Sequence, residues 1–162
     1  MDMTLNNGMK MPMIGIGTFQ LTPDEAENSV DIALRSGYRL IDTANAYVNE
    51  KAVGRGIRKS GVNRDEIFLE TKLWPTLYED AGAVDRTLDR LGVDVIDLML
   101  CHQPAGDYIH GYQLLEKAYK EGKIRSLGIS NFSEVRIHEK NKYMCICSYT
   151  QSSSCCLRSD SR

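Results

Sequence analysis

Four side chains that handle protons lie at or just after the ends of short apolar runs in this sequence. They are Asp42, Tyr47, Lys72 and His102. A tyrosine phenol titrates at about pH 10, which is too high for easy proton donation at neutral pH. A neighbouring ammonium favours the phenolate and lowers that pKa, and a carboxylate keeps the ammonium charged and in place. Tyr47, Lys72 and Asp42 are therefore the residue types of a proton-donating device.

A histidine completes this set, because an imidazole can orient a carbonyl oxygen or share the proton that reaches it. The four residue types together predict a general-acid site for the reduction of a carbonyl, with the hydride supplied by a cofactor. Each residue alone also has a structural explanation. Asp42 could cap the turn that follows it, and His102 could be a satisfied core histidine. Tyr47 could be an aromatic at a rim, and Lys72 could be a solvent-exposed charge.

The elements that would position these residues are visible as an alternation of apolar runs and helix-like segments between residues 14 and 132. Near-continuous apolar runs are typical of parallel strands that are covered on both faces. Regular strand–helix units predict an α/β fold with parallel strands, and both a doubly wound sheet and a closed (β/α)8 barrel fit. The five apolar runs are 14–19, 39–42, 67–72, 95–101 and 124–130.

If the strands are parallel, their carboxyl ends meet on one face, and chemistry collects there. We therefore expect the four proton-handling residues to converge, although they lie far apart in the chain.

Local signals support these elements. Thr22 and Glu25 form a capping box with Pro23 at the first helical position, and Gly37 stands where a left-handed residue would end that helix. The dipeptide Asn7-Gly8 predicts a β-hairpin over residues 4–10 with a two-residue turn. Such a hairpin could plug one end of a barrel.

Two glycines in the first run, Gly15 and Gly17, superficially resemble a dinucleotide-binding fingerprint. The third glycine of G-x-G-x-x-G is replaced by Gln20, and no helix follows directly. We interpret them instead as positions where the backbone must approach a ligand closely.

Composition excludes several classes of function. A chain of 162 residues with 42% hydrophobic and 26% charged residues is typical of one soluble globular domain. Its net charge of -2 gives no basic surface for nucleic acid or for a membrane. No apolar run is long enough to span a membrane, and no signal-peptide pattern opens the chain. The expected location is cytoplasmic, with neither nucleic acid nor membrane as a partner.

Four cysteines crowd the last part of the chain, at 145, 147, 155 and 156. Their C-x-C and C-C spacings differ from the C-x2-C pairs of zinc sites, and no histidine lies among them. We predict no metal site, and a disulfide is not expected in a chain without a secretory signal.

Five stretches of the sequence together resemble the aldo-keto reductase family, in particular the branch of diketogluconate reductases, prostaglandin F synthases and glyoxal reductases. Tyr47 and the pair Asn49-Glu50 belong to the same pattern. The stretches are GIGTF at 15–19, GYRLIDTA at 37–44, TKLW at 71–74, LCHQP at 100–104 and GKIRSLGISNF at 122–132.

The resemblance implies a (β/α)8 TIM barrel and the reduction of small aldehydes and ketones to alcohols, with NADPH as the cofactor and NADH as the alternative. It implies that Tyr47 is the proton donor, that Lys72 and Asp42 tune it, and that His102 orients the substrate carbonyl.

The resemblance also assigns the binding residues. Gly17, Thr18 and Asp42 would touch the cofactor, and Ser130 and Asn131 would hold the nicotinamide carboxamide. Apolar pocket walls would come from Phe19 and Trp74, with His102 beside them.

The resemblance covers about residues 3–137, and we interpret residues 1–137 as the N-terminal part of the barrel: a hairpin and about five βα units. We expect 138–162 to be a non-family tail, disordered or out of frame, on a C-terminally truncated chain. An incomplete barrel has unpaired edges, which predicts self-association. The alternative to a reductase is an inactive remnant or a non-catalytic regulatory protein on the same fold.

Overall fold

The computed structural model describes residues 1–133, in which a hairpin of two strands precedes five further strands that alternate with four α-helices. The strands are β1 (Asp2–Thr4), β2 (Lys10–Pro12), β3 (Gly15–Gly17), β4 (Leu40–Asp42), β5 (Phe68–Leu73), β6 (Leu98–Cys101) and β7 (Leu127–Ile129). The α-helices are α1 (Pro23–Arg35), α2 (Glu50–Ser60), α3 (Ala83–Leu91) and α4 (Tyr108–Lys120). Single 3₁₀ turns cover Asn45–Tyr47, Arg64–Glu66 and Pro75–Leu77.

The main sheet is a parallel, five-stranded barrel wall. Its strands run in the order β3-β4-β5-β6-β7, so each strand pairs with its neighbours in sequence. A doubly wound sheet reverses its strand order at a switch point, whereas a barrel does not. The order therefore selects the barrel between the two folds that the sequence left open.

Within the described residues β3 and β7 are edge strands, and the self-association predicted from such edges stays a prediction.

The two faces of this wall bury different sets of side chains, because side chains alternate along a strand. One face packs against the four helices and forms the larger apolar cluster, which includes Ile41, Leu69 and Met99. The other face is the barrel interior. Its smaller cluster consists of Leu5, Met11, Leu40, Phe68, Leu98 and Leu100.

The predicted N-terminal hairpin is confirmed, but the two-residue turn is wrong. The backbone N–H of Leu5 donates to the oxygen of Met9 at 2.8 Å, and that of Gly8 donates to the oxygen of Leu5 at 2.9 Å. The loop therefore has three residues, and only Gly8 takes a left-handed conformation, with φ of 86°. A two-residue turn of the type predicted needs positive φ at Asn7 as well.

The Asn7 side chain anchors the hairpin at the amino-terminal end of the barrel wall. Its side-chain amide donates to the backbone oxygen of Arg125 at 3.1 Å and to the hydroxyl of Ser126 at 2.8 Å. Since Arg125 and Ser126 immediately precede β7, the hairpin closes the amino-terminal end of the barrel wall. The predicted plug is thus confirmed.

The first helix begins and ends as predicted. Thr22 and Glu25 exchange both hydrogen bonds of the capping box, and Pro23 is the first helical residue. After the helix, Gly37 adopts φ of 96°, and the N–H of Tyr38 returns to the oxygen of Ala33 at 3.0 Å.

The boundary predicted at residue 137, the tail 138–162 and the four clustered cysteines lie outside the described residues. Among residues 1–133, no helix is both long and apolar enough to cross a membrane.

A buried carboxylate holds the amino-terminal ends of three strands together. Asp97 is 2% exposed and lies between two arginines, with Arg64 at 2.7 Å and Arg125 at 2.8 Å. Its Oδ2 atom also accepts the backbone N–H of Leu69 at 2.9 Å. Because β5, β6 and the segment before β7 all meet here, Asp97 fixes the base of the wall.

We expect Asp97→Ala to lower the free energy of unfolding by about 3 kcal/mol, because it leaves two arginines and a buried N–H without their common acceptor. Urea unfolding monitored by circular dichroism measures the loss. Asp94→Ala, at an exposed position three residues earlier, is the control and should change little. Equal losses in the two variants would contradict this role for Asp97.

Candidate active site

A cleft of about 700 Å3 opens at the carboxyl ends of the parallel strands. It contains residues that follow β3, β4, β5, β6 and β7, so the convergence expected from the sequence is present. The lining residues are Phe19, Asp42, Ala46, Tyr47, Lys72, Trp74, His102, Gln103, Ser130 and Asn131.

Two of the residues proposed for the cofactor do not line this cleft. Thr18 is fully buried, and its hydroxyl donates to Thr43 at 2.9 Å. Gly17 lies on the exposed edge strand β3, where a Cβ atom would come within 3.7 Å of the Asp42 carboxylate. Both residues thus adjoin the cleft through Asp42 and Thr43 rather than facing it.

An ion pair between Lys72 and Asp42 forms the floor of the cleft. Lys72 is 3% exposed, and its ammonium contacts the Asp42 carboxylate directly. The ammonium also donates to the backbone oxygen of Thr43 at 3.0 Å. The strand register pairs Asp42, the last residue of β4, with Glu70, so Lys72 lies two residues further along β5 on the same face. The charge of Lys72 is therefore held in a fixed position.

Tyr47 lies above this ion pair on a 3₁₀ turn. The Nζ atom of Lys72 is 5.4 Å from the centre of the Tyr47 ring. The Phe19 ring packs against the Tyr47 ring in a tilted arrangement, with centroids 5.0 Å apart. The turn is tied to the next strand, because the Asn45 side chain accepts the backbone N–H of Trp74 at 2.9 Å.

The pKa of the Tyr47 phenol is raised, whereas the sequence led us to expect a lowered value. Burial is the largest cause, and the positive charge of Lys72 opposes it as expected. The negative charge of Asp42 then offsets part of the lysine's effect. The expectation counted the ammonium but neither the desolvation of the phenol nor the charge paired with that ammonium.

His102 is a neutral imidazole at physiological pH. Burial, assisted by the charge of Lys72, lowers its pKa from 6.5 to about 4. Its ring lies edge-on to Trp74, with centroids 4.9 Å apart, and 6.1 Å from the centroid of Tyr47. The Nδ1 atom is buried without a hydrogen-bond partner among the residues described. A neutral imidazole can donate one hydrogen bond and accept another.

Ser130 and Asn131 form the wall after β7. Asn131 adopts φ of 64°, a left-handed conformation that asparagine tolerates better than most residues. Its side-chain amide donates to the backbone oxygen of His102 and to the hydroxyl of Ser130, both at 2.9 Å. These bonds connect the wall to the loop that carries the imidazole.

Comparison of the sequence with models of known protein families agrees with this arrangement of side chains. The sequence model of the aldo/keto reductase family matches residues 13–160. The chain belongs to the aldo/keto reductase family. The resemblance drawn from the five stretches is thus confirmed.

Individual aldo/keto reductases are similar to this chain over most of its length. Glyoxal reductase of Bacillus subtilis is 45% identical over 143 residues, which is 83% of this chain and 51% of that protein. An aldo/keto reductase from Brucella melitensis superposes with a TM-score of 0.87 at 36% identity, covering 92% of this chain and 61% of that one.

A third similar protein, an aldo-keto reductase from Bombyx mori solved in complex with NADP, gives a TM-score of 0.84 at 32% identity. It is covered over 55% of its length, and 90% of this chain is matched. The chain thus spans about half the length of the curated relatives it matches and somewhat more of the solved structures.

Several residues for which the sequence predicted no role also shape this aldo/keto reductase site. Asn49 is 2% exposed, and its amide donates to the backbone oxygens of Thr18 at 2.8 Å and Leu21 at 3.1 Å. It thereby joins the end of β3 to the turn that carries Tyr47. The sequence signal was a cap-type residue directly before α2, which predicts a helix cap. In the structure, the Asn49 side chain makes no capping hydrogen bond with that helix.

The sequence predicted no role for Glu50, which lies in the family pattern, or for Glu70, and both are buried carboxylates. Glu50 accepts hydrogen bonds from Thr71 at 3.0 Å and Arg90 at 2.7 Å, which links α2, β5 and α3. Glu70 lies in the interior of the barrel wall. A charged residue between Leu69 and Thr71 in an otherwise apolar strand was the available signal.

Val48 carries the backbone strain of the site. It follows Tyr47 directly, is 86% exposed and adopts φ of 58° and ψ of 19°. A β-branched residue in the left-handed region is an outlier, and such strain typically costs about 1–3 kcal/mol.

We expect Val48→Asn to raise the free energy of unfolding by about 1 kcal/mol, because asparagine tolerates this conformation and no buried apolar surface is lost. Val48→Ala, which removes the branch but keeps a Cβ atom, should give a smaller gain. Chemical denaturation of the three proteins tests the order. A destabilised Val48→Asn would contradict the presence of strain at this position.

The lowered pKa of His102 predicts a loss of stability in acid. Below pH 6.5 the unfolded chain binds a proton at this imidazole, whereas the folded chain does so only near pH 4. The free energy of unfolding should therefore fall as the pH drops through this window, and His102→Asn should reduce the slope. His110→Asn, at an exposed position on α4, is the control. Identical slopes in the wild type and His102→Asn would show that the imidazole is not buried in its neutral form.

Proposed function

We propose that this chain provides the proton-donating part of an NAD(P)H-dependent carbonyl reductase, with Tyr47 as the general acid. The observation that carries the proposal is the buried Lys72 ammonium, paired with Asp42 and placed under the ring of Tyr47 at the floor of an open cleft. An inactive protein has no need to keep a desolvated charge beside a phenol. This favours a reductase over the non-catalytic alternative.

The proton step follows from the positions of the side chains. The oxygen of an aldehyde or ketone would accept hydrogen bonds from the Tyr47 hydroxyl and the neutral His102 imidazole. As the carbonyl carbon gains a hydride, negative charge develops on that oxygen, which then takes the phenol proton. Lys72 stabilises the phenolate that remains, and water returns a proton to it. Each turnover consumes one hydride and one proton and releases an alcohol.

Bound NAD(P)H would supply the hydride at this site. The donor set of the cleft fits the carboxamide of a nicotinamide, because Ser130 has a hydroxyl and Asn131 an amide that can bond to it. We propose that Ser130 and Asn131 make this contact and that Asp42, which also lines the cleft, touches the cofactor. Gly17 and Thr18 would support Asp42 and Thr43 from outside the cleft. The NADP complex of the Bombyx mori relative supports NADPH as the cofactor, with NADH as the alternative.

Small aldehydes and ketones are the substrates we propose. The aromatic side chains of Phe19 and Trp74 flank Tyr47 and His102, so the cleft offers apolar walls around two polar groups. The similarity to glyoxal reductase of Bacillus subtilis supports a compact carbonyl compound. The cytoplasmic location expected from the sequence belongs to the same proposal.

Tyr47→Phe should lower kcat for reduction of methylglyoxal by about 100-fold or more, because the variant has no proton to donate. The dissociation constant for NADPH, measured by fluorescence titration, should not change. Turnover is followed by the loss of NADPH absorbance. Tyr38→Phe, which removes the hydroxyl of a tyrosine that is 43% exposed, is the matched control.

Two results would overturn the proposal. One is wild-type turnover in Tyr47→Phe, which would remove the phenol from the reaction. The other is a folded 162-residue chain that neither binds NADPH nor reduces the aldehyde.

A further inference from the structure

Glu70 is a carboxyl group inside the barrel wall, next below Lys72, whose ammonium lies under the ring of the proposed proton donor. It is 4% exposed and lies on β5, two residues before Lys72 and therefore on the same face of the strand. The register of the sheet places Glu70 opposite Asp42 on β4 and opposite Leu98 on β6. The two carboxylates thus stand side by side on adjacent strands.

Few interactions offset the free-energy cost of burying the Glu70 carboxylate. Among the residues described, its carboxylate makes neither a hydrogen bond nor an ion pair, whereas the buried carboxylates of Glu50 and Asp97 each pair with arginine. An unpaired buried carboxylate is costly, so its neutral form is favoured.

The groups that face Glu70 are few. Lys72 lies above it on its own strand, Asp42 stands beside it on β4, and Tyr47 is close enough for its phenol to respond to the charge of Glu70. The neighbouring strand and the hairpin contribute apolar side chains to this interior, among them Leu98, Leu100, Leu5 and Met11.

We propose that Glu70 is a positioning residue that sets the net charge of the Asp42–Lys72–Tyr47 cluster, and thereby the pH at which Tyr47 releases its proton. This inference rests on the proposed role of Tyr47 as general acid and adds a second carboxyl group to that site.

The charge balance explains the effect. When Glu70 is neutral, one carboxylate and one ammonium face the phenol, and the two charges balance. When Glu70 is ionised, two carboxylates face one ammonium, and the excess negative charge opposes formation of the phenolate. Burial, together with the charge of Asp42, raises the pKa of Glu70 to about 7, so the change between the two states falls at neutral pH.

The two directions of the proposed reaction should respond differently. Reduction needs a phenol that gives up its proton readily, so it should slow as Glu70 ionises. Oxidation of the alcohol needs the phenolate as base, which ionised Glu70 disfavours. Glu70 would thus hold Tyr47 in the protonated state in mildly alkaline solution and suppress the reverse reaction.

Glu70→Gln keeps the shape of the side chain and removes its charge, so it is the variant that tests the inference. The dependence of kcat on pH for reduction should lose its decline near pH 7 in Glu70→Gln. The rising limb for oxidation should shift to lower pH. Glu70→Asp retains a carboxyl group and should keep the decline. Glu66→Gln, the same exchange at an exposed position, is the control.

A titration that requires no turnover separates this inference from the proposed function. The phenolate absorbance of Tyr47, obtained as the difference between each protein and its Tyr47→Phe counterpart, should titrate at lower pH in Glu70→Gln than in wild type. Carboxyl 13C resonances of the glutamate-labelled chain should show one group that titrates near pH 7 and is missing in Glu70→Gln.

The outcomes are distinct. A shifted phenolate titration without any turnover supports the role of Glu70 and overturns the reductase. Turnover that depends on Tyr47, with the same phenolate titration and pH profile in wild type and Glu70→Gln, overturns the role of Glu70 alone. Ionisation of Glu70 near pH 4.5, the ordinary value for a glutamate, also overturns it.

Discussion

The site depends on one buried positive charge, the ammonium of Lys72. Removing an ammonium from water costs several kcal/mol unless a counter-charge and further acceptors surround it. Here Asp42 supplies the counter-charge, and the backbone oxygen of Thr43 supplies a second acceptor. Both come from the end of β4, so the charge can be buried only if β4 and β5 pair in the observed register. A shift of one residue would turn Lys72 towards the helices.

The remaining parts of the site can be understood as consequences of this constraint. The turn that carries Tyr47 must leave β4 directly after Thr43, and Asn49 then fastens it to the end of β3. Asn45 ties the same turn to Trp74 beyond β5. Hydrogen bonds to two strands therefore hold the turn that carries the phenol, while the ammonium lies beneath the ring. The strained Val48 is the residue at which the chain turns from this loop into α2.

Much of this arrangement could be predicted from the sequence, because the informative signals were local or periodic. Apolar runs gave the five parallel strands, and Thr22, Pro23 and Glu25 gave the start of the first helix. Parallel pairing then brought Asp42, Lys72 and His102 to one edge without any knowledge of contacts. What the sequence did not reveal was non-local. The burial that raises the pKa of Tyr47, the contacts of Asn7 with Arg125 and Ser126, and the absence of an ion-pair partner for Glu70 among the described residues all depend on neighbours more than twenty residues away or on the finished wall.

The anchor of the hairpin has a consequence for the order in which the protein folds. Asn7 bonds to Arg125 and Ser126, and Met9 also contacts Ser126, so the hairpin finds its partners more than a hundred positions later in the chain. Contacts of such long range form late, because the loop they close is costly until the intervening units have assembled. During translation, strands β3 to β6 can pair as they leave the ribosome. The hairpin cannot make its contacts with Arg125 and Ser126 until the segment before β7 emerges. The hairpin would then dock last, after the strands of the barrel wall have paired.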